Sequence, residues 1–144
     1  MVAFQLFSLR GGRGSRAGSA ASEFALIVPL LTTLLMGVIE FGTVFFSYSA
    51  MQFAAHDAAR HMAVNVSSPA VALADASNLV PGWARDNVSM SVTQSNPADP
   101  SQNVIRVRLA ANAREMAVMS MITRMVPWTL TADASIKQEL PYVD

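Results

Sequence analysis

Residues Gly18–Arg60 read GSAASEFALIVPLLTTLLMGVIEFGTVFFSYSAMQFAAHDAAR, and this stretch decides the architecture. From Phe24 to Ile39 there are 16 residues without a charge; Glu40 interrupts, and a second uncharged run extends from Phe41 to Ala55. At about 1.5 Å of rise per helical residue, the first run covers roughly 24 Å and the two together roughly 48 Å. A bilayer's hydrocarbon core is about 30 Å thick. One helix can therefore cross, with surplus length beyond. A cleavable secretory signal fits poorly, because its apolar region is shorter and a small-residue cleavage site follows it.

The surroundings of this stretch set its orientation. Arg10, Arg13 and Arg16 precede it with no acid among residues 1–18, whereas Asp57, Arg60 and His61 beyond it nearly balance. The positive-inside rule places the N-terminus in the cytoplasm and the C-terminal part outside. Charged residues are only 14% of the 144, well below the soluble norm, which again indicates membrane contact. Residues 19–144 carry ten acidic and seven basic side chains, with no concentrated basic face, so a nucleic-acid partner is not expected. There is no cysteine, which excludes disulfides, thiolate metal sites and cysteine nucleophiles.

Alanine-rich sequence predicts that the helix continues to about Val64. Ala50, Ala54 and Ala58 recur every four residues, either as a small-residue seam for close helix packing or as plain helix propensity. Asp57 is placed to meet Arg60 and His61 one turn on. Ser68-Pro69 reads as an N-cap and first helical position, opening a short helix that Pro81-Gly82 stops after about Leu79.

The period then changes from helical to alternating. NVSMSVTQ alternates Val88, Met90 and Val92 with polar residues, SNPADPSQ is a proline-rich turn, and NVIRVRLA alternates Val104 or Ile105 with Arg106 and Arg108. The two arginines mark a solvated face. WTLTADASIKQEL puts Trp128, Leu130, Ala132, Ala134 and Ile136 on one side of a third strand. Residues 114–126 are methionine-rich and fit either a short helix or a loop. The expected fold class is α+β: a long N-terminal transmembrane helix, a short helix and a three-stranded antiparallel sheet whose apolar face a helix covers. The expected divisions are a basic leader over 1–18, a transmembrane and assembly helix over 19–64, and an extracytoplasmic domain over 65–144.

Glu23 is the fifth residue after Gly18, and none of Gly11, Gly12 or Gly14 has an acid at that place. A basic leader, a glycine, a carboxylate five residues on and an apolar helix is the arrangement of type IV prepilins, which a membrane peptidase cuts after the glycine. Cleavage between Gly18 and Ser19 would create an amine with a pKa of about 7.7–8.0, mostly charged at neutral pH. An unpaired carboxylate within the bilayer is costly. Pairing Glu23 with the Ser19 amine of a neighbouring subunit would offset that cost; the alternative is solvation of Glu23 at the headgroups.

The residues Glu23-Phe24-Ala25, Pro29, Gly37, Ile39-Glu40-Phe41-Gly42 and Ala54–Arg60 resemble the start of the TadE-like family of pilin-like proteins from tight-adherence (Tad/Flp) pilus systems. The resemblance covers roughly residues 18–60. Glu-Phe departs from the Glu-Tyr of the major Flp pilin, and the C-terminal domain is far longer than that pilin's. The resemblance thus implies a minor pilin or pseudopilin with a type IV pilin-like architecture, helping to assemble or initiate an adhesive pilus. It implies as partners the prepilin peptidase, other pilins and pseudopilins, the inner-membrane assembly platform and membrane lipid. Site residues are then Gly18 and Ser19 for processing, and Glu23, Phe24, Pro29 and Glu40 for assembly.

Pro29 removes one helical donor and frees the carbonyl of Ala25, giving either a kink that lets the helix bend on leaving the bilayer or a fixed kink without a role. Glu40 lies 17 residues beyond Glu23, about 100° away around the axis, so the two share no stripe. Glu40 is read as a subunit-contact residue or an interfacial group. An enzyme is not expected. His56, Asp57 and His61 are the one cluster with ligand chemistry, and they lack a third histidine. No cofactor is expected. The competing reading is an uncleaved single-span signal anchor presenting a periplasmic adaptor or binding domain.

Overall fold

The computed structural model describes residues 14–125 and 127–139, with side chains from residue 18 onward. The expected leader over 1–18 and the C-terminal end beyond Glu139 therefore lie largely outside the described residues. Helix α1 spans Gly14–Ala63 and α2 spans Pro69–Leu79. Strands β1 (Ser89–Gln94), β2 (Val104–Asn112) and β3 (Thr129–Lys137) follow, with a single helical turn, α3 (Ala113–Met116), after β2. Contacts divide the chain into two compact units, one up to Met36 and one from Gly37 onward.

In the first unit, apolar side chains of α1 are exposed, including Phe24, Leu26, Leu30, Leu31, Leu34 and Leu35. Helix continues through Pro29. Thr32 Oγ1 donates to the carbonyl of Val28 and Thr33 Oγ1 to that of Pro29, both at 2.8 Å. Such back-bonding keeps the two hydroxyls satisfied in an apolar setting. Among the described residues, α1 is the one helix long and apolar enough to cross a membrane.

In the second unit the sheet order is β1-β2-β3, antiparallel throughout. Alternation sorts the two faces as the sequence predicts. Ile105, Val107, Leu109 and Ala111 of β2 are buried, and Ala132 and Ala134 of β3 lie on the same side, paired with Leu109 and Val107. The choice between Val104 and Ile105 falls to Ile105, and Val104 is exposed. Arg106 and Arg108 face outward, and Arg108 Nε donates to Asp133 Oδ1 at 2.7 Å. Asn103, buried at the start of β2, donates from Nδ2 to Gln138 Oε1 at 2.9 Å and accepts from the Asn96 N–H.

The apolar face is covered by the upper part of α1 and by α2 in one cluster. On α1 the buried positions Gly37, Glu40, Val44, Ser47, Met51, Ala54, Ala58 and Met62 form a stripe with steps of three and four, and Ala55, Ala59 and Ala63 are buried beside it. That spacing keeps one face of a helix toward one neighbour. Ala54 and Ala58 are thus buried in the chain's own core, while Ala50 is half-buried. Small alanines, with Ala72 and Ala76 of α2, let the layers approach closely. Helix α1 ends where Asn65 takes a left-handed conformation (φ 63°) and the Val66 N–H returns to the carbonyl of His61 at 2.9 Å. Ser68 caps α2 as expected, and its hydroxyl accepts from the Val71 N–H.

Candidate functional site

Glu23 belongs to the first unit and is exposed. Ser19 lies one turn before it, and Ser19 Oγ donates to Glu23 Oε1 at 3.2 Å. Ser22 Oγ donates back to the carbonyl of Ser19 at 2.8 Å. Gly18 and Ser19 are exposed on the helix, and a Cβ at Gly18 would meet nothing within 4 Å. Phe24, beside the carboxylate, is also exposed. Among the described residues, the turn therefore presents a carboxylate whose hydrogen-bond partner is the Ser19 hydroxyl.

Glu40 belongs to the second unit and is 1% exposed. Its carboxylate is enclosed by three successive N–H groups of the segment between α3 and β3. The Met121 N–H donates to Oε2 at 3.0 Å. The Ile122 N–H is shared between Oε1 (3.0 Å) and Oε2 (2.9 Å). The Thr123 N–H and Thr123 Oγ1 both donate to Oε1 at 2.6 Å. Consecutive backbone N–H groups converging on one point form an anion-binding concavity. Here the chain's own carboxylate fills it. Hydrogen bonds to a charged acceptor are the strong ones, and they offset the cost of burying that charge.

Two further side chains of α1 extend the arrangement. Thr43 Oγ1 donates to the carbonyl of Glu40 at 2.9 Å and accepts from the Val118 N–H at 3.3 Å. Ser47 Oγ donates to the carbonyl of Met116 at 3.0 Å, which also accepts from Trp83 Nε1 at 3.3 Å. Glu40, Thr43 and Ser47 stand at i, i+3 and i+7 on one helix face and hold the backbone of residues 116–123. Among the described residues that segment has no strand partner, and side chains of α1 meet its buried N–H and C=O groups instead. Gly37 lets the segment lie close, since a Cβ there would come within 3.2 Å of Ile122 Cδ1. Of the region 114–126, the described residues 114–125 are accordingly the end of one helical turn followed by a clamped loop, and Val126 lies outside the described residues.

Sequence reasoning singled out Glu40 but not its donors, nor Thr43 and Ser47. A signal was present: three polar residues spaced three and four apart on one helix face. At the far end of α1, His61 Nδ1 lies 3.5 Å from Asp57 Oδ2, one of the two pairings expected for Asp57. Among the described residues no group of three or more His, Cys, Asp or Glu side chains is placed to hold a metal ion.

An exposed acid one turn after Gly18 and a second acid enclosed at residue 40 are the two features that set this helix apart from a plain anchor. Residues 18–60 match the family model described as TadE-like protein. No curated protein and no solved structure matches the chain. The TadE-like segment includes both glutamates, Pro29 and the buried alanines, and ends three residues before α1 does. The likeness is thus confined to the N-terminal helix, which is long and apolar enough to cross a membrane.

Proposed function

We propose that the chain is a minor pilin, or pseudopilin, of a Tad-type pilus system. A prepilin peptidase cuts it after Gly18, and Glu23 then pairs with the new amine of Ser19 on a neighbouring subunit. The observation that carries this reading is the five-residue spacing from Gly18 to Glu23 at the start of the TadE-like segment. The exposed carboxylate supports it: among the described residues, Glu23 is met by the Ser19 hydroxyl rather than by the enclosing donors that satisfy Glu40. Lipid exposure of such a group costs several kcal/mol in principle, so a partner's ammonium is a strong attractor. The positive leader favours a cytoplasmic N-terminus and an extracytoplasmic domain, with the helix in the inner membrane. Other pilins, pseudopilins and the assembly platform are the partners this role requires.

Intact mass of the protein from envelopes with and without the peptidase tests the reading. Loss of residues 1–18 only when the peptidase is present is the expected result. Recovery of the uncut chain from peptidase-bearing envelopes would overturn it in favour of an uncleaved signal anchor.

A further inference from the structure

Between Glu115 and Asp133 the chain carries a single charged side chain, Arg124. The loop in this interval turns its apolar side chains outward: Val118 (59% exposed), Met119, Met121 (59%) and Met125 (82%). A soluble domain rarely leaves such a run uncovered. The place of the loop says what covers it. Glu40, which directly follows the uncharged run Phe24–Ile39, grips Met121, Ile122 and Thr123. Just past the loop, the Trp128 ring stands edge-on to Phe41, with centroids 6.2 Å apart. The second tryptophan of the chain, Trp83, lies 6.2 Å from Phe46. Both tryptophans therefore sit against the first two turns of helix beyond the apolar run.

The span length agrees. Ser19–Ile39 is 21 residues, or about 32 Å of helix against a hydrocarbon core of about 30 Å. Position 40 then falls at the boundary between acyl chains and headgroups. Tryptophan rings concentrate at that level. Methionine's flexible thioether adapts to an irregular apolar surface, and a lone arginine there reaches headgroup phosphates while its stem stays in the apolar layer.

We propose that the loop 118–125, with Trp128, is a membrane-seating collar: its methionines enter the acyl–headgroup boundary where the helix leaves the bilayer, and Glu40 holds it there. This rests on the membrane-spanning reading of α1, and its test separates the two. The chain has no cysteine, so single substitutions give unique labelling sites. Met121→Cys and Met125→Cys carry nitroxide labels at exposed positions of the full chain, reconstituted into vesicles of phosphatidylcholine and phosphatidylglycerol. Leu30→Cys reports the span and Arg106→Cys the outer face of the sheet. Collision with oxygen reads lipid and collision with a nickel chelate reads water.

The expected result is graded. Leu30→Cys meets oxygen and little nickel, Arg106→Cys the reverse, and the two loop positions fall between, with nickel access several-fold below that of Arg106→Cys. Loop labels that match Arg106→Cys, with Leu30→Cys still in lipid, overturn the collar and leave the span standing. Loop labels sheltered from both reagents mean that protein covers the loop, and this too overturns it. A Leu30→Cys label open to nickel removes the span and the collar with it.

Discussion

Helix α1 carries two glutamates in apolar surroundings, and the chain treats them in opposite ways. Glu23 is exposed, with Ser19 Oγ as its neighbour at 3.2 Å. Glu40 is buried and receives donors from three consecutive residues on a loop more than eighty positions later. An acid in an apolar helix is therefore not one kind of object. Where the chain supplies its own donors, the carboxylate is a structural clasp. Where the described residues supply one hydroxyl, the carboxylate stands open on the helix surface. The sequence reading took Glu40 as a subunit contact or an interfacial group; to this the structure adds a set of backbone donors from the chain itself.

The largest effect on domain stability is expected at the clasp. Glu40→Ala strands the N–H groups of residues 121–123 in a half-buried loop and should lower stability by about 3–5 kcal/mol in chemical unfolding of the full chain. Glu40→Gln keeps the shape but turns an amide toward donors, and about half that loss is expected. An unfolding midpoint unchanged in both variants would end the clasp description.

A smaller effect is expected where the loop meets the helix. Gly37→Val pushes two methyl groups toward Ile122 and should cost roughly 1–3 kcal/mol. Gly42→Ala meets open space and should stabilise the helix by about 0.5–1 kcal/mol. Equal effects from the two substitutions would mean that the loop does not press on Gly37.

The smallest effect on stability, and the sharpest contrast, is expected at the other glutamate. Glu23→Ala should shift the unfolding free energy by less than about 0.5 kcal/mol. Peptidase processing should persist while pilus assembly fails, as read by immunoblot of sheared surface fibres. A cleaved, stable Glu23→Ala protein in a fully piliated cell would remove the docking role.

Much of the fold was written in local signals. Ser68-Pro69 announced α2, and the alternation of Met90 and Val92, of Ile105, Val107 and Leu109, and of Ala132 and Ala134 announced three strands with one shared face. Trp128 was expected on that face but stands just before β3, half out of the core, against Phe41. The buried stripe of α1 was hidden for a physical reason. It mixes Val44, Met51 and Met62 with Gly37, Glu40, Ser47 and small alanines, while the larger Phe45, Phe46 and Phe53 are exposed, so the bulkiest apolar residues mark the other face. The donors to Glu40 were illegible because they are backbone N–H groups, which every residue but proline carries. Only the fold brings residues 121–123 to position 40.

That separation has a consequence for biogenesis. At about 5–20 residues per second, the eighty-odd residues between Glu40 and Thr123 take roughly 4–16 s to synthesise. For that interval the middle of α1 exists without its counterpart, and its acid must be hydrated or held by something else. A nascent chain arrested between Glu40 and Met121 would carry a helix whose buried acid is not yet enclosed, so the synthesis of residues 121–123 is itself the event that closes the clasp.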